Sequence, residues 1–427
     1  MTLVIAGGAG AARLDPGFGD RGVVRTPTGA TGLSYAARAV TRDRAGRLLA
    51  AGGVGDFMIV GRYRRDGRLD TDFGGGDGFA VIGPWPQNGP GAEASASALA
   101  VRRDGKILVA GTLDRTGAGG RAVSCGGIAR LRRDGSLDRR FGPRRSGTVS
   151  GCGRQWYSLA LLPRGRFLVS GIALSRGAQE PTAVVARFKA DGRRDLRFGP
   201  RGTGALLIGA ARRGGCSRGS GALDLLVLRS GKILVSGYNR LHFMLARVTR
   251  RGRLDPKFGR RGKVITDVTR RRGCGTSIGW GMTRDRRGRI LVTGYVQPPN
   301  PKTFVVLVRH LPDGDLDRTF GRRGIARTRL GSFALARQAA IQRNGRIVVA
   351  AVSGAPQDPR FTVLRYRRRG RIDRSFFRRG VLRRSFGGAA SARDVIVDGR
   401  GRPVIAGGYA RGSVRGFVLM RLQPGRR

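Results

Sequence analysis

Short apolar segments, rich in Val, Ile and Leu and broken by glycine-centred turns, recur along the chain. Residues 96–101 (ASALAV), 106–111 (KILVAG), 126–131 (GGIARL) and 147–150 (GTVS) make one set of four. Their length and composition read as strands, and no stretch sustains a 3.6-residue apolar period, so helix is expected to be scarce. The strongest segment returns seven times, with its turn glycine at Gly46, Gly105, Gly165, Gly231, Gly288, Gly345 and Gly401, at spacings of 59, 60, 66, 57, 57 and 56 residues. Seven units of four strands predict an all-β chain, a seven-bladed β-propeller with four-stranded blades. A single domain is expected over residues 14–427, with no room for a separate catalytic domain.

The turns agree with this reading. Asp104-Gly105 and Asn344-Gly345 join first to second strands, while Asp66-Gly67, Asp134-Gly135, Asp191-Gly192 and Asp313-Gly314 follow third strands. Such dipeptides tolerate the positive φ angles of tight hairpins.

A second periodicity lies inside the first. Each third strand carries an arginine, Arg62, Arg130, Arg187, Arg247, Arg309, Arg365 or Arg421, and eight residues after the first six comes an aspartate: Asp70, Asp138, Asp195, Asp255, Asp317 or Asp373. Arg421 has no such partner downstream, whereas Asp15 has no preceding arginine. A ring accounts for both: the N-terminal strand, residues 22–26, is expected to supply the outer strand of the last blade. A carboxylate repeated in every blade indicates a structural Arg–Asp contact rather than catalysis, and the pattern lacks the ordered acidic spacing of a Ca²⁺ loop. Phe18, Phe73, Phe141, Phe198, Phe258, Phe320 and Phe376 recur likewise and are read as packing between blades.

The DGKILVAG strand, the strands FMLARV and FTVLRY, and the link LD-x-x-FG-x-x-G together resemble the delta-60 repeat proteins, a propeller-like family of bacterial proteins. The resemblance runs from Leu14 to Leu422, with Arg194 replacing the Leu of the link and Phe377 its Gly. It implies a propeller fold and an exported location, and brings no catalytic residues.

If strands run from axis to rim, both glycine turns of each blade share one face, and the variable connections share the other. Loops on a rigid scaffold are where binding usually sits. Trp85, Trp156, Tyr157, Trp280 and the run Arg270, Arg271 and Arg272 are assigned to interblade links on that variable face, a mixture suited to stacking on sugars or bases and pairing with phosphates or carboxylates. The competing reading has these aromatics plug the loops against the blades. Cys125 and Cys152 flank neighbouring strands and are expected to form a disulfide. Cys216 and Cys274 enter successive blades and are a second candidate pair. A four-thiolate zinc site is disfavoured because no C-x-x-C spacing occurs, so no metal or other cofactor is expected.

Charge then narrows the partner. There are 83 Lys plus Arg against 27 Asp plus Glu, a net +56, carried almost wholly by arginine. Genomic base composition and an anionic partner each account for such a balance, and attraction to polyanions at low salt follows either way. No apolar run reaches the length of a membrane helix. The opening residues 1–13 (MTLVIAGGAGAAR) resemble the end of a secretory signal peptide without its basic leader, the alternative being an extra strand. His242 and His310 lie in different blades and suggest no catalytic pair.

The leading expectation is an exported, non-catalytic propeller, monomeric, whose variable face binds an anionic polymer, an envelope glycan or a protein partner. A propeller lyase or hydrolase using acids such as Asp114, Asp224 or Asp267 is the alternative, and a structural spacer the third.

Overall fold

Short apolar runs of four to ten residues, closed by glycine turns, produce twenty-eight short strands in the computed structural model, which describes residues 13–29, 36–85, 92–116, 122–174, 180–209, 219–269, 276–297 and 303–424. They form seven antiparallel sheets of four strands each, arranged as a ring of blades. Within a blade, an inner strand at the axis is followed by a second, a third and an outer strand at the rim. The blades span residues 39–82, 93–152, 154–208, 220–266, 276–329 and 333–384, with the seventh built from 390–421. The seventh takes its outer strand from Val23–Pro27, paired antiparallel with Val414–Arg421 so that Val23 faces Met420 and Pro27 faces Gly416. The ring thus closes three strands plus one, as the unpaired Arg421 and Asp15 predict. Residues 1–12, most of the expected leader, lie outside the described residues.

The core consists of the spaces between blades. Each blade turns a face of Val, Leu, Ile and Ala toward its neighbour. One such cluster joins Leu49, Met58, Val60 and Phe73 of the first blade to Ala96, Leu99 and Val109 of the second. Burial of both sheet faces follows, which is why the second and third strands read as continuous apolar runs.

The repeated Arg, Asp and Phe form one device. Arg62 Nε donates to Asp70 Oδ2 at 2.7 Å, and the same contact joins Arg130 to Asp138, Arg187 to Asp195, Arg247 to Asp255, Arg309 to Asp317, Arg365 to Asp373 and Arg421 to Asp15. Each guanidinium also lies over the repeat phenylalanine, 4.5 Å from the Phe73 ring centre for Arg62 and 4.3 Å from Phe18 for Arg421. A second nitrogen reaches the next blade: Arg62 Nη1 donates to the Arg133 carbonyl at 2.6 Å, and Arg309 Nη1 to that of Arg368 at 2.6 Å. The phenylalanine ring meets the hairpin glycine of that next blade, so that a Cβ on Gly135 (φ +95°) would come within 3.0 Å of Phe73. Charge pairing, ring stacking and interblade packing are therefore carried by three residues per repeat.

Strand ends place the two hairpin turns of each blade on one face of the ring, here called the hairpin face. Seven segments, residues 30–35, 86–91, 117–121, 175–179, 210–218, 270–275 and 298–302, connect strands at the opposite ends and lie outside the described residues. Among them fall Arg270, Arg271, Arg272, Cys216 and Cys274. Cys125 and Cys152 face each other across the third and outer strands of the second blade and are joined by a disulfide.

Candidate functional site on the propeller axis

Inner strands begin earlier than their apolar segments suggest. In the third blade the inner strand is Arg154–Leu161, and in the fifth Thr276–Arg284, so Trp156, Tyr157 and Trp280 lie in strands at the axis rather than in links. The apolar pattern misses these first residues because Tyr157 and Trp280 face the axis and each other while Trp156 packs between blades.

Register shifts interrupt the inner strands at one place. They fall between Ala96 and Ala98, Trp156 and Ser158, Ala222 and Asp224, Gly279 and Gly281, Ala336 and Gln338, and Ala392 and Asp394. Each is a β-bulge, which leaves one residue unpaired and re-aims its side chain. The bulged residues are Ser97, Tyr157, Leu223, Trp280, Arg337 and Arg393, and Arg38 holds the corresponding place in the first blade. Each lies eight residues before its turn glycine, from Arg38 and Gly46 to Arg393 and Gly401. The second-strand glycine in the repeated segment accommodates the bulge: a Cβ on Gly171 would lie 1.8 Å from the Gln155 carbonyl oxygen.

These seven side chains line a cavity of about 440 Å³ on the axis, a size suited to a small ligand or the end of a polymer. Arg337 stacks over the Trp280 ring at 4.0 Å, and Tyr157 meets the same indole edge-on with ring centres 6.2 Å apart. Neither Arg337 Nε nor Trp280 Nε1 has a hydrogen-bond partner in the protein. Burial, with the charges of Arg393 and Arg38 nearby, holds the Arg337 pKa well below its ordinary value, and burial lowers that of Arg38. Three guanidinium groups thus converge where solvent screens them poorly.

Two carboxylates stand one residue after the bulge. Asp224 accepts from Ser158 Oγ at 2.8 Å, the Leu225 and Met282 amides at 2.8 Å each, and Gln338 Nε2 at 3.1 Å. Asp394 accepts from the Val40 and Val395 amides, both at 2.8 Å. They tie the inner strands of different blades together at the axis. Burial pushes the Asp394 carboxyl up to about 6, with the Asp224 charge adding to the rise, and burial raises Asp224 as well.

The Asp394 shift has a signed consequence. Its folded pKa exceeds the unfolded one, so the native state holds the extra proton between about pH 4 and pH 6 and stability falls as pH rises through that window. Asp394→Asn is expected to flatten that part of the curve, because the amide does not titrate, although its NH2 cannot accept from one of the two backbone amides that the carboxylate serves. Urea midpoints measured against pH check this; a variant that loses stability as steeply as the parent between those limits would contradict the assignment.

The remaining candidates scatter. Trp85 and Trp156 are each 3% exposed and pack in interblade clusters, Trp85 against Met58 and Gly127, Trp156 against Phe188. A ligand in the cavity would touch neither. Asp114, in a second strand, accepts from Ser124 Oγ at 2.6 Å and from Gln155 Nε2 at 3.1 Å, and Gln155 Oε1 accepts from the Tyr157 hydroxyl at 2.6 Å, so one side chain links Asp114 to the cavity wall. Asp267, beyond an outer strand, lies 3.7 Å from His242 Nδ1 and apart from Asp224. His310 is buried, its Nδ1 2.9 Å from the Gly314 carbonyl oxygen, and desolvation lowers its pKa, which fits a neutral structural role. Among the described residues no three His, Cys, Asp or Glu side chains gather as metal ligands.

Residues 102–141 and 288–320, in the second and fifth blades, match a family model described as a domain of unknown function (DUF5122) beta-propeller. No curated protein matches the chain. Among solved structures, a polysaccharide lyase, PL25 ulvan lyase bound to -[GlcA(1-4)Rha3S]-, is similar at 8% identity and TM-score 0.50 over 92% of this chain and 95% of its own. Virginiamycin B lyase from Staphylococcus aureus is similar at 11% identity and TM-score 0.47 over 94% and 98%. Polysaccharide lyase Uly1 follows at 11% identity and TM-score 0.47 over 91% and 90%. At these identities the likeness is one of fold. The chain is a seven-bladed β-propeller, two of whose blades match the DUF5122 propeller model.

Proposed function

We propose that the axial cavity binds an anionic saccharide, through the carboxylate or sulfate that such a sugar carries, and that the chain is a binding protein rather than an enzyme. One observation carries this reading: the Arg337 guanidinium is stacked on Trp280, has an unused Nε donor, and stands beside Arg38 and Arg393. An arginine held against an indole presents both a fork for an oxyanion and a flat surface for a sugar ring. The groups that would do proton chemistry are already engaged. Both oxygens of Asp224 and of Asp394 accept hydrogen bonds, and burial pushes the Tyr157 phenol up to about 12, so it is protonated at neutral pH. Export to an envelope or extracellular location completes the proposal and fits the disulfide between Cys125 and Cys152.

Titration calorimetry with uronate-bearing and sulfated oligosaccharides against neutral counterparts tests it, at about 0.3 M salt where loose attraction is screened. Arg337→Ala is expected to weaken binding at least about tenfold, the worth of a charge-assisted hydrogen bond. Binding that is indifferent to Arg337, or that vanishes with salt for all polymers together, would refute the assignment. Accumulation of an unsaturated sugar product would replace it with a lyase.

A further inference from the structure

The hairpin face carries charge in an arrangement that the axial site does not use. Every turn between inner and second strands bears an exposed arginine, from Arg44 in the first blade to Arg400 in the seventh, forming a ring around the axis. A second ring lies farther out, in the turn that precedes each outer strand: Arg21, Arg144, Arg201, Arg261, Arg323 and Arg379, all exposed. No arginine of either ring is in an ion pair among the described residues.

The outer ring occupies costly backbone. These six arginines have φ between +47° and +53°, the left-handed region, where the first blade has Gly76 at φ +99°. Glycine fits that conformation without strain and arginine does not. Base composition does not explain the choice, because glycine codons are as rich in G and C as those of arginine. Arginine stands there against local preference, which points to use of its charge.

The partner's shape follows from the layout. Charges spread over a whole disc in two concentric rings match a plane better than a thread, which would follow one track. The repeat phenylalanines of this face are fully buried beneath Arg62 and its equivalents, and Phe377, half-buried edge-on against Phe376, belongs to one blade alone, so no ring of platforms for sugar or base stacking accompanies the two rings of charge. We infer that the hairpin face docks flat on an anionic phospholipid bilayer, held by phosphate-pairing arginines without insertion.

Co-sedimentation of the full chain with phosphatidylglycerol and phosphatidylcholine vesicles, across a salt series, tests this. The triple variant Arg201→Gly, Arg261→Gly, Arg323→Gly is compared with Arg25→Gln, Arg329→Gln, Arg384→Gln, which removes equal charge from exposed outer strands at the rim. The hairpin-face triple is expected to lose about a hundredfold in vesicle affinity, the sum of three arginines at an anionic surface. It should melt no lower than the parent, since glycine relieves the left-handed backbone, so lost binding cannot be ascribed to unfolding. The rim triple is expected to change affinity less than about threefold. Equal losses in both triples would overturn the inference by showing attraction without orientation. So would face-selective binding of soluble polyphosphate or heparin with none to vesicles.

Discussion

Removal of residues 13–29 is expected to destabilise the protein by more than about 5 kcal/mol, through loss of Phe18 from the core and of the partner of a buried arginine. The segment supplies the outer strand of the seventh blade, five backbone pairs from Val23 with Met420 to Pro27 with Gly416. It also supplies Asp15, whose Oδ2 accepts from Arg421 at 2.7 Å and Arg402 at 2.9 Å, and Phe18, fully buried beneath Arg421. Its Gly19 amide donates to the Asp66 carbonyl of the first blade at 2.7 Å, so the same residues join the last blade to the first. Truncation opens the ring at its single seam and leaves Val418 and Met420 at a new edge, a site for strand pairing with other chains. Urea unfolding should show a lower, broader transition, and a synthetic peptide of residues 13–29 added in trans should restore part of it. An unchanged midpoint would mean that the seam contributes little.

Asp317→Ala is expected to cost about 3–5 kcal/mol, the range for leaving one member of a buried ion pair alone. Arg309 and Asp317 side chains are each 5% exposed, and Arg309 Nη1 remains fastened to the Arg368 carbonyl of the next blade, so the guanidinium cannot swing out to water. Burial opposes the charged form of Asp317, yet the Thr319 hydroxyl and Arg309 hold its pKa below the ordinary carboxylate value. Asp70, Asp138, Asp255 and Asp373 are lowered in the same sense. These groups stabilise the fold above the unfolded pKa, and the contribution is lost as pH falls from about 4 through their folded values. The acid limb of stability should therefore be shallower in Asp317→Ala than in the parent. Pairing the change with Arg309→Met should recover much of the loss, because the stranded charge is removed with its partner. If the double variant is no more stable than the single one, the cost lies in packing against Phe320 and not in the unpaired cation.

The Arg and Asp columns are legible in the sequence because in six of the seven blades both members lie on one short segment, eight residues apart, with the spacing set by a local hairpin. Cys125 and Cys152 were readable for a related reason: neighbouring strands of one blade bring them together. Tyr157 and Trp280 carry the aromatic signal of a binding site, but their sequence surroundings place them in links, since the first residues of an inner strand do not alternate. Arg38, Arg337 and Arg393 carry no such local signal. The signal was present in the fixed offset of eight residues before each turn glycine, but among 83 Lys and Arg a single column of mixed Arg, Ser, Tyr, Leu and Trp does not stand out. Trp85 and Trp156 show the converse: a tryptophan near a loop can point into the blade interface as readily as out of it.

The chain by itself determined the number of blades, four strands in each, and the place where the ring closes. Those properties depend on local periodicity and on a count of repeats, and burying both faces of every blade leaves few other solutions. Only the tertiary structure decided what lies on the axis. Its residues are separated by some sixty positions from blade to blade and meet only when the ring closes, and the bulge that turns each toward the channel is a backbone irregularity without a composition of its own. The charge of each arginine is written in the sequence; whether it meets an aspartate, a neighbouring carbonyl, an indole or the solvent is set by its place in the blade.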